Sequence, residues 1–220
     1  MQAEIKGGAA FSYVDVELEP GETLLAEADA MSSMDARLEL KAHLNGSFFV
    51  ALLRWLLGRE TLFISSFINA TQQARRLTIV RPTPGQLCCV ELRDQTLYLQ
   101  PGAFLACTPG VKLGVKFAGF TSWIAREGLF KVVVSGTGRV WYGAFGALLE
   151  KQIDGEYIVD TSHLVSYEPG IKLRLQLAGG IFSSIFSGEG LVTRLEGKGK
   201  VVIQSRSLDG ITRWINPRLP

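Results

Sequence analysis

One phrase is written twice in this chain, and it limits the possible folds more than any other feature. "ACTPGVKLGVKFAGF" runs from Ala106 to Phe120 and "SYEPGIKLRLQLAGG" from Ser166 to Gly180. Pro109-Gly110 and Pro169-Gly170 are each followed by an alternating run, "VKLGVKF" or "IKLRLQL". Then come a glycine-rich break, an apolar pair, and "REGLF" or "GEGLV". Another alternating run closes each unit, "KVVVSGTGRVWYG" in one and "TRLEGKGKVVIQS" in the other. The first third repeats the plan with weaker letters. "MDARLELKAHLNG" takes the place of the Pro-Gly phrase and "GRETLFISSF" the place of "AREGLFKVVV". That alignment puts Arg37, Lys112 and Lys172 at one position, and Glu60, Glu127 and Glu189 at another. Self-similarity at a fixed period is the signature of a repeated supersecondary unit. The chain therefore reads as three β units, at about residues 1–75, 76–150 and 151–220.

The alternation has period two, as in strands with one face on a core. Leu173, Leu175 and Leu177 alternate with Lys172, Arg174 and Gln176. The glycines of "SGTG" and "EGKG" are expected at hairpin turns, and each Pro-Gly is expected to lead into an inner strand. No long amphipathic helix and no Pro/Ser-rich linker is evident. The expectation is an all-β single domain, 1–220, in which three repeats form a sandwich or prism of approximate threefold symmetry.

With 47% hydrophobic and 20% charged residues, the chain can bury a substantial core. Its 23 basic and 21 acidic side chains leave a net charge of only +2. That balance argues against nucleic acid held through its phosphates, and Arg75-Arg76 and Lys198/Lys200 read as solvated surface. Three cysteines, two of them adjacent (Cys88, Cys89, Cys107), fit neither a disulfide framework nor CxxC zinc spacing. A reducing, cytoplasmic setting is expected. The N-terminus shows no secretory pattern. The longest apolar run, Phe48 to Leu57, is broken by Arg54 and is half of the ~20 residues a spanning helix needs. The expectation is a soluble protein.

Catalytic letters are sparse. Only His43 and His163 occur, and "DTSH" at Asp160–His163 sits where a strand-linking turn is expected. A Ser-His-Asp triad arises by convergence in space, not by adjacency. "GKGK" lacks the lead-in and the Ser/Thr of a phosphate loop, and "GTGRVWYG" is expected in a hairpin and not between strand and helix. The three repeated glutamates could converge on a cation, but capping or ion pairing explains them more simply. No catalytic, cofactor-binding or metal-binding residue is assigned, and no cofactor is expected.

The connections inside the units are more unusual. The first is "GSFFVALLRWLLGRE", with Phe48, Phe49, Leu52, Trp55 and Leu56 at near-helical spacing. The second carries Phe120, Trp123 and Ile124, and the third Ile181, Phe182, Ile185 and Phe186. Strand connections run over the surface, where large apolar patches are rare in monomers. These tips are therefore lids folded over the core, contacts between subunits, or segments that dip into a membrane interface with Arg54, Arg59 and Arg126 near headgroups.

"GSFFVALLRWLLGRETLFISSF", "REGLFKVVVSGTGRVWYGAFGAL" and "FSGEGLVTRLEGKGKVVIQSRS" resemble the three signatures of the mitochondrial biogenesis, altered-inheritance-of-mitochondria family of bacteria and mitochondria. The resemblance covers about Phe11 to Ser207, with Arg59-Glu60-Thr61 departing from a Gly-Glu-Ser-like element. It implies an all-β fold grouped with the tryptophan RNA-binding attenuation protein, and homo-oligomers. It brings no catalytic residue. The functional expectation is a non-enzymatic, oligomeric interaction or scaffold protein that meets a membrane surface or a protein partner. The alternatives are an RNA- or small-ligand-binding module, by fold analogy alone, and an enzyme whose site the sequence does not display.

Overall fold

The computed structural model describes residues 1–44, 63–117, 130–177 and 191–218. Its described elements are strands with one α-helix and two short 3-10 turns. Strands β1 (Gln2–Lys6), β2 (Tyr13–Leu18), β4 (Met31–Met34) and β7 (Arg75–Val80) form a four-stranded sheet in the order β1-β2-β7-β4. The larger sheet has eleven strands. Its main path is β12 (Leu148–Asp160), β15 (Leu191–Gln204), β13 (Leu164–Tyr167), β8 (Leu87–Leu99), β11 (Phe130–Gly143), β9 (Phe104–Cys107), β3 (Thr23–Glu27), β6 (Phe63–Ile68) and β5 (Glu39–Leu44). Off that path, β10 (Val111–Phe117) pairs with β11, and β14 (Ile171–Leu177) with β15. All strand pairs are antiparallel. The all-β expectation holds.

The period-two pattern sets the burial. Val14, Val16 and Leu18 face inward from β2, with half-buried residues between them. They meet Leu77 and Ile79 of β7, and Leu24, Ala26, Leu105 and Trp141 of the larger sheet, in one apolar cluster. A second cluster gathers Phe104, Cys107, Val134, Val140, Tyr142 and Val202. A third gathers Ile153, Leu164, Tyr167, Ile171 and Leu195. Fully burying a side chain of this size is worth roughly 1.5–3 kcal/mol, so these inward rows dominate the stability.

Two local expectations are corrected. The "SGTG" and "EGKG" glycines do not turn hairpins. They lie inside the continuous strands β11 and β15, where Gly136 (φ 103°) and Gly197 (φ 127°) bend the strand. The Pro-Gly phrases do not lead into inner strands either, because among the described residues β10 and β14 each have a single partner and are edges. The repeated phrase is explained by how these two sets of glycines meet. A Cβ on Gly136 would lie 2.7 Å from the Gly110 carbonyl oxygen, and one on Gly110 would lie 2.3 Å from that of Thr137. A Cβ on Gly197 would lie 2.2 Å from the Gly170 oxygen, and one on Gly170 would lie 2.4 Å from that of Lys198. Each Pro-Gly is thus closely apposed to a glycine bend, and the two motifs recur together because neither fits without the other.

Candidate interaction surface

Three corners launch three β arms. Leu38, Val111 and Ile171 are buried anchors at the starts of the outer strands. Their backbone N–H groups donate to the carbonyls of Asp35, Thr108 and Glu168, at 3.0 Å in each case. The N–H groups of those same three residues donate to Arg76, Arg139 and Lys200, at 2.9, 3.0 and 3.1 Å. Their side chains also accept backbone N–H bonds, from Arg37, Arg139 and Lys200 respectively. The corner geometry aligns Glu39, not Arg37, with Lys112 and Lys172, which corrects the sequence alignment by two residues.

Beyond the anchors the outer strands β5 and β10 become exposed. Leu40 lies opposite Phe67 and is 47% exposed, although Phe67 itself is buried. Val115 lies opposite the buried Val132 and is 49% exposed. Opposed residues of an antiparallel pair share one face, so the apolar face of the core runs out to half-exposed side chains on the arms. The arms pair as far as Leu44–Phe63, Phe117–Phe130 and Leu177–Leu191. The tips that the sequence singled out connect those positions. Phe48, Phe49, Leu52, Trp55, Leu56, Phe120, Trp123, Ile124, Ile181, Phe182, Ile185 and Phe186 all lie outside the described residues, as do Glu60, Glu127 and Glu189.

Among the described residues the β12 edge is the longest free one, and β12 pairs only with β15, over thirteen residues. Leu149, Tyr157 and Ile158 are exposed along it, Ile158 by 53%. Ion pairs cross its outer face: Lys200–Glu150 at 2.7 Å, Lys198–Asp154 at 2.9 Å and Arg194–Glu156 at 3.5 Å. At such exposure each pair is worth about 0–1 kcal/mol. They tie β12 to β15, and its other edge is unpaired among the described residues.

The three thiols are poor nucleophiles, although Cys89 is exposed and Cys88 half-buried. Burial, above all, pushes the Cys88 thiol up to about 11 and that of Cys107 up to about 12, and it raises Cys89 as well. Thiolate is the reactive form, so these thiols stay protonated near neutrality. Cys107 pairs opposite Val140, and Tyr167 opposite Val201. Tyr142 is buried, receives a 3.4 Å hydrogen bond from the Ser166 hydroxyl, and has its phenol pKa raised, first by burial. Asp160 does not orient His163. Its Oδ1 accepts from the Ser162 N–H and Oγ at 2.8 and 2.7 Å, while His163 Nδ1 lies 2.6 Å from the Gln204 carbonyl oxygen. "DTSH" is thus a capped 3-10 turn. Among the described residues, no three His, Cys, Asp or Glu side chains gather at metal-binding distance.

Two features escape the sequence reading. Lys131 Nζ donates to Tyr167 Oη at 2.9 Å and sits 4.1 Å above the Tyr98 ring, with its pKa lowered by burial and then by Lys116. Nothing in the local letters signals that meeting, because it joins three strands. The other is α1 (Leu208–Ile215), which contributes no buried residue to the body. Its signal was present in the sequence: Ser207 as N-cap, apolar letters at 208, 211, 214 and 215, and Pro217 beyond the end. No helix among the described residues is long and apolar enough to cross a membrane.

Comparison with known proteins bears on the chain as a whole. The sequence model of the family described as Mitochondrial biogenesis AIM24 matches residues 3–206. An uncharacterized protein of Streptococcus pyogenes serotype M6 is 26% identical over 229 aligned positions, covering 100% of this chain and 92% of that protein. A crystal structure of a Streptococcus pyogenes protein superposes with a TM-score of 0.80 at 25% identity, covering 99% of both chains.

Proposed function

The chain belongs to the mitochondrial biogenesis AIM24 family, and from that premise we propose that it is a non-catalytic scaffold that assembles with further copies of itself through open strand edges. The observation that carries this reading is the β12 edge with its exposed Leu149, Tyr157 and Ile158. An unpaired strand edge is a template for another strand, and the exposed apolar side chains spaced along β12 among its charges are area that such pairing would cover.

The pairing scheme supports it further. We read the chain as one β unit present three times, and two junctions between units are sealed by strand pairing. Strand β9 bridges β11 to β3, through Leu25–Cys107 and Ala26–Ala106. Strand β13 bridges β15 to β8, through Ser166–Leu99 and Tyr167–Tyr98. By the same scheme β4 would bridge β7 to β12 and close a pseudo-threefold prism. Among the described residues β4 pairs only with β7, and β12 only with β15. Two edges of matching kind are thus left for intermolecular pairing, and the arm faces at Leu40 and Val115 add apolar area.

Light scattering across a concentration series tests this. The wild type is expected at a multiple of 24.1 kDa, and Tyr157→Lys/Ile158→Lys is expected to fall towards the single-chain mass. A wild type that stays at the single-chain mass at every concentration sinks the proposal.

A further inference from the structure

We infer that the C-terminal segment, Arg206 to Arg218, is an interfacial anchor that lays α1 onto an anionic lipid surface. The inference uses neither the β edges nor the tips and does not depend on self-association. It starts from where the charge lies. The segment holds Arg206, Arg213 and Arg218 against Asp209 alone. The rest of the chain then carries twenty basic and twenty acidic side chains, so the whole positive excess of +2 sits in this segment. A local basic excess beside an exposed apolar face suits a partner of opposite sign.

The shape of the element specifies that partner. Ser207 caps the helix by accepting from the Gly210 N–H at 3.0 Å. At 3.6 residues per turn, Leu208, Ile211, Trp214 and Ile215 fall on one arc, while Asp209, Thr212 and Arg213 fall off it. Leu208, Ile211 and Trp214 are exposed, Trp214 by 61%, and none of the helix's residues is buried. An amphipathic helix ordinarily turns its apolar stripe to its own core, but this one leaves most of its stripe in solvent. Arg218 lies over the Trp214 ring at 4.6 Å and also donates to the Trp214 carbonyl. A tryptophan backed by a guanidinium, with arginines at both ends of the segment, suits the boundary between acyl chains and anionic headgroups. Long cationic side chains can reach headgroups while their stems cover apolar surface. A convex apolar arc on a short helix also has no groove to receive a folded partner, which favours a lipid surface over an acidic protein.

The test uses the full chain with phosphatidylcholine vesicles, alone or mixed with phosphatidylglycerol. Co-sedimentation is expected only with the mixed vesicles and should fade at high salt. Arg206→Gln/Arg218→Gln should weaken it roughly fivefold for each arginine removed, and Ile211→Ser/Trp214→Ser should abolish it. These side chains are exposed or terminal, and circular dichroism checks that the β signal persists. Tryptophan emission separates this helix from Trp55 and Trp123 of the tips. Trp214→Phe should still bind but lose the blue shift seen on adding mixed vesicles. The inference is overturned if the wild type binds neither vesicle, or if Ile211→Ser/Trp214→Ser binds as the wild type does. It is also overturned if that variant loses oligomeric mass in the absence of lipid, which makes α1 a subunit contact. Light scattering without lipid reports self-association separately, so either idea can fail alone.

Discussion

The first corner and the third make the same bend in opposite ways. In the third, β12 and β15 run unbroken through it, opposed at Gly155 and Gly197, both with positive φ. In the first, both long strands are cut. Strand β2 gives way to β3 and β6 to β7, and residues 69–74 form a loop between β6 and β7. A single buried side chain organises that loop. The Asn69 amide nitrogen donates to the carbonyls of Leu18 and Gln73, both at 2.8 Å, and its oxygen accepts from the Thr71 N–H and hydroxyl. A strand pair can be bent by residues that tolerate unusual φ, or by interrupting it and satisfying the freed backbone groups with an amide. The first solution demands glycine, and the second removes the demand.

The sharpest way to break this contrast is at the glycine bend. Gly197→Ala places a methyl group 2.2 Å from the Gly170 oxygen at a φ that side chains rarely adopt. Two backbone strands must separate, so a loss of about 3 kcal/mol or more is expected by urea denaturation. Gly136→Ala, whose contact is 2.7 Å, should cost less. Equal, negligible costs at both positions would remove the steric account of the repeated phrase.

At the interrupted corner the matching lesion is Asn69→Ala. It removes the buried bond to the Leu18 carbonyl and a second one to Gln73, whose carbonyl keeps the Thr71 hydroxyl, and about 1–3 kcal/mol of destabilisation is expected. Asn69→Asp keeps the acceptor and loses both donors, so it should recover only part of that loss. If Asn69→Asp proves as stable as the wild type, the amide donors do not organise the loop.

These two corners also show why the sequence could be read only in part. At the second and third corners sterics dictate letters, so Gly110 with Gly136 and Gly170 with Gly197 stand out as a repeated phrase. At the first corner the bend is made by Asn69, Thr71 and Gln73, which have no counterparts to align with. The sequence alignment accordingly slipped by two residues and placed Arg37 where Glu39 belongs. The all-β class was legible from alternation alone. The open edge of β12 was not, because a strand's own letters do not say whether β4 will pair with it. The apolar tips were legible as letters, while α1 was overlooked because it repeats nothing elsewhere in the chain.

A smaller effect tests the electrostatic side of the first corner. Asp35 Oδ2 lies 3.3 Å from Nη1 of the buried Arg75, whose Nε and Nη2 bond Thr71 and Gln73. The Arg37 backbone N–H, followed by the charges of Arg75 and Arg37, holds the Asp35 carboxyl below its ordinary value. A depressed folded-state pKa gives stability that is present above the unfolded carboxylate value of about 4 and is lost as pH falls through the folded value. Asp35→Asn should therefore be less stable than the wild type at neutral pH, and the difference should shrink below about pH 4. A gap that is constant across that range would mean the carboxylate charge is irrelevant here.

The smallest expected effect is the most discriminating. Arg37 occupies the place that Gly110 and Gly170 hold in the other corners, directly before the buried anchor. Those glycines are required because a continuous strand passes within 2.3–2.4 Å of where their Cβ atoms would be. At the first corner that strand is interrupted, Arg37 is exposed, and its φ is not positive. Its guanidinium makes only a 4.0 Å contact with Asp35, worth little at that exposure. Arg37→Gly should thus cost only the added freedom of the unfolded chain, about 0.5–1 kcal/mol, whereas Gly110→Arg at the equivalent place should prevent the corner from forming. Adding the glycine bend back, by replacing residues 69–74 with a Ser-Gly-Thr-Gly stretch, should make the same position intolerant of arginine. If Arg37 remains neutral in that background, strand continuity is not what selects glycine at these corners.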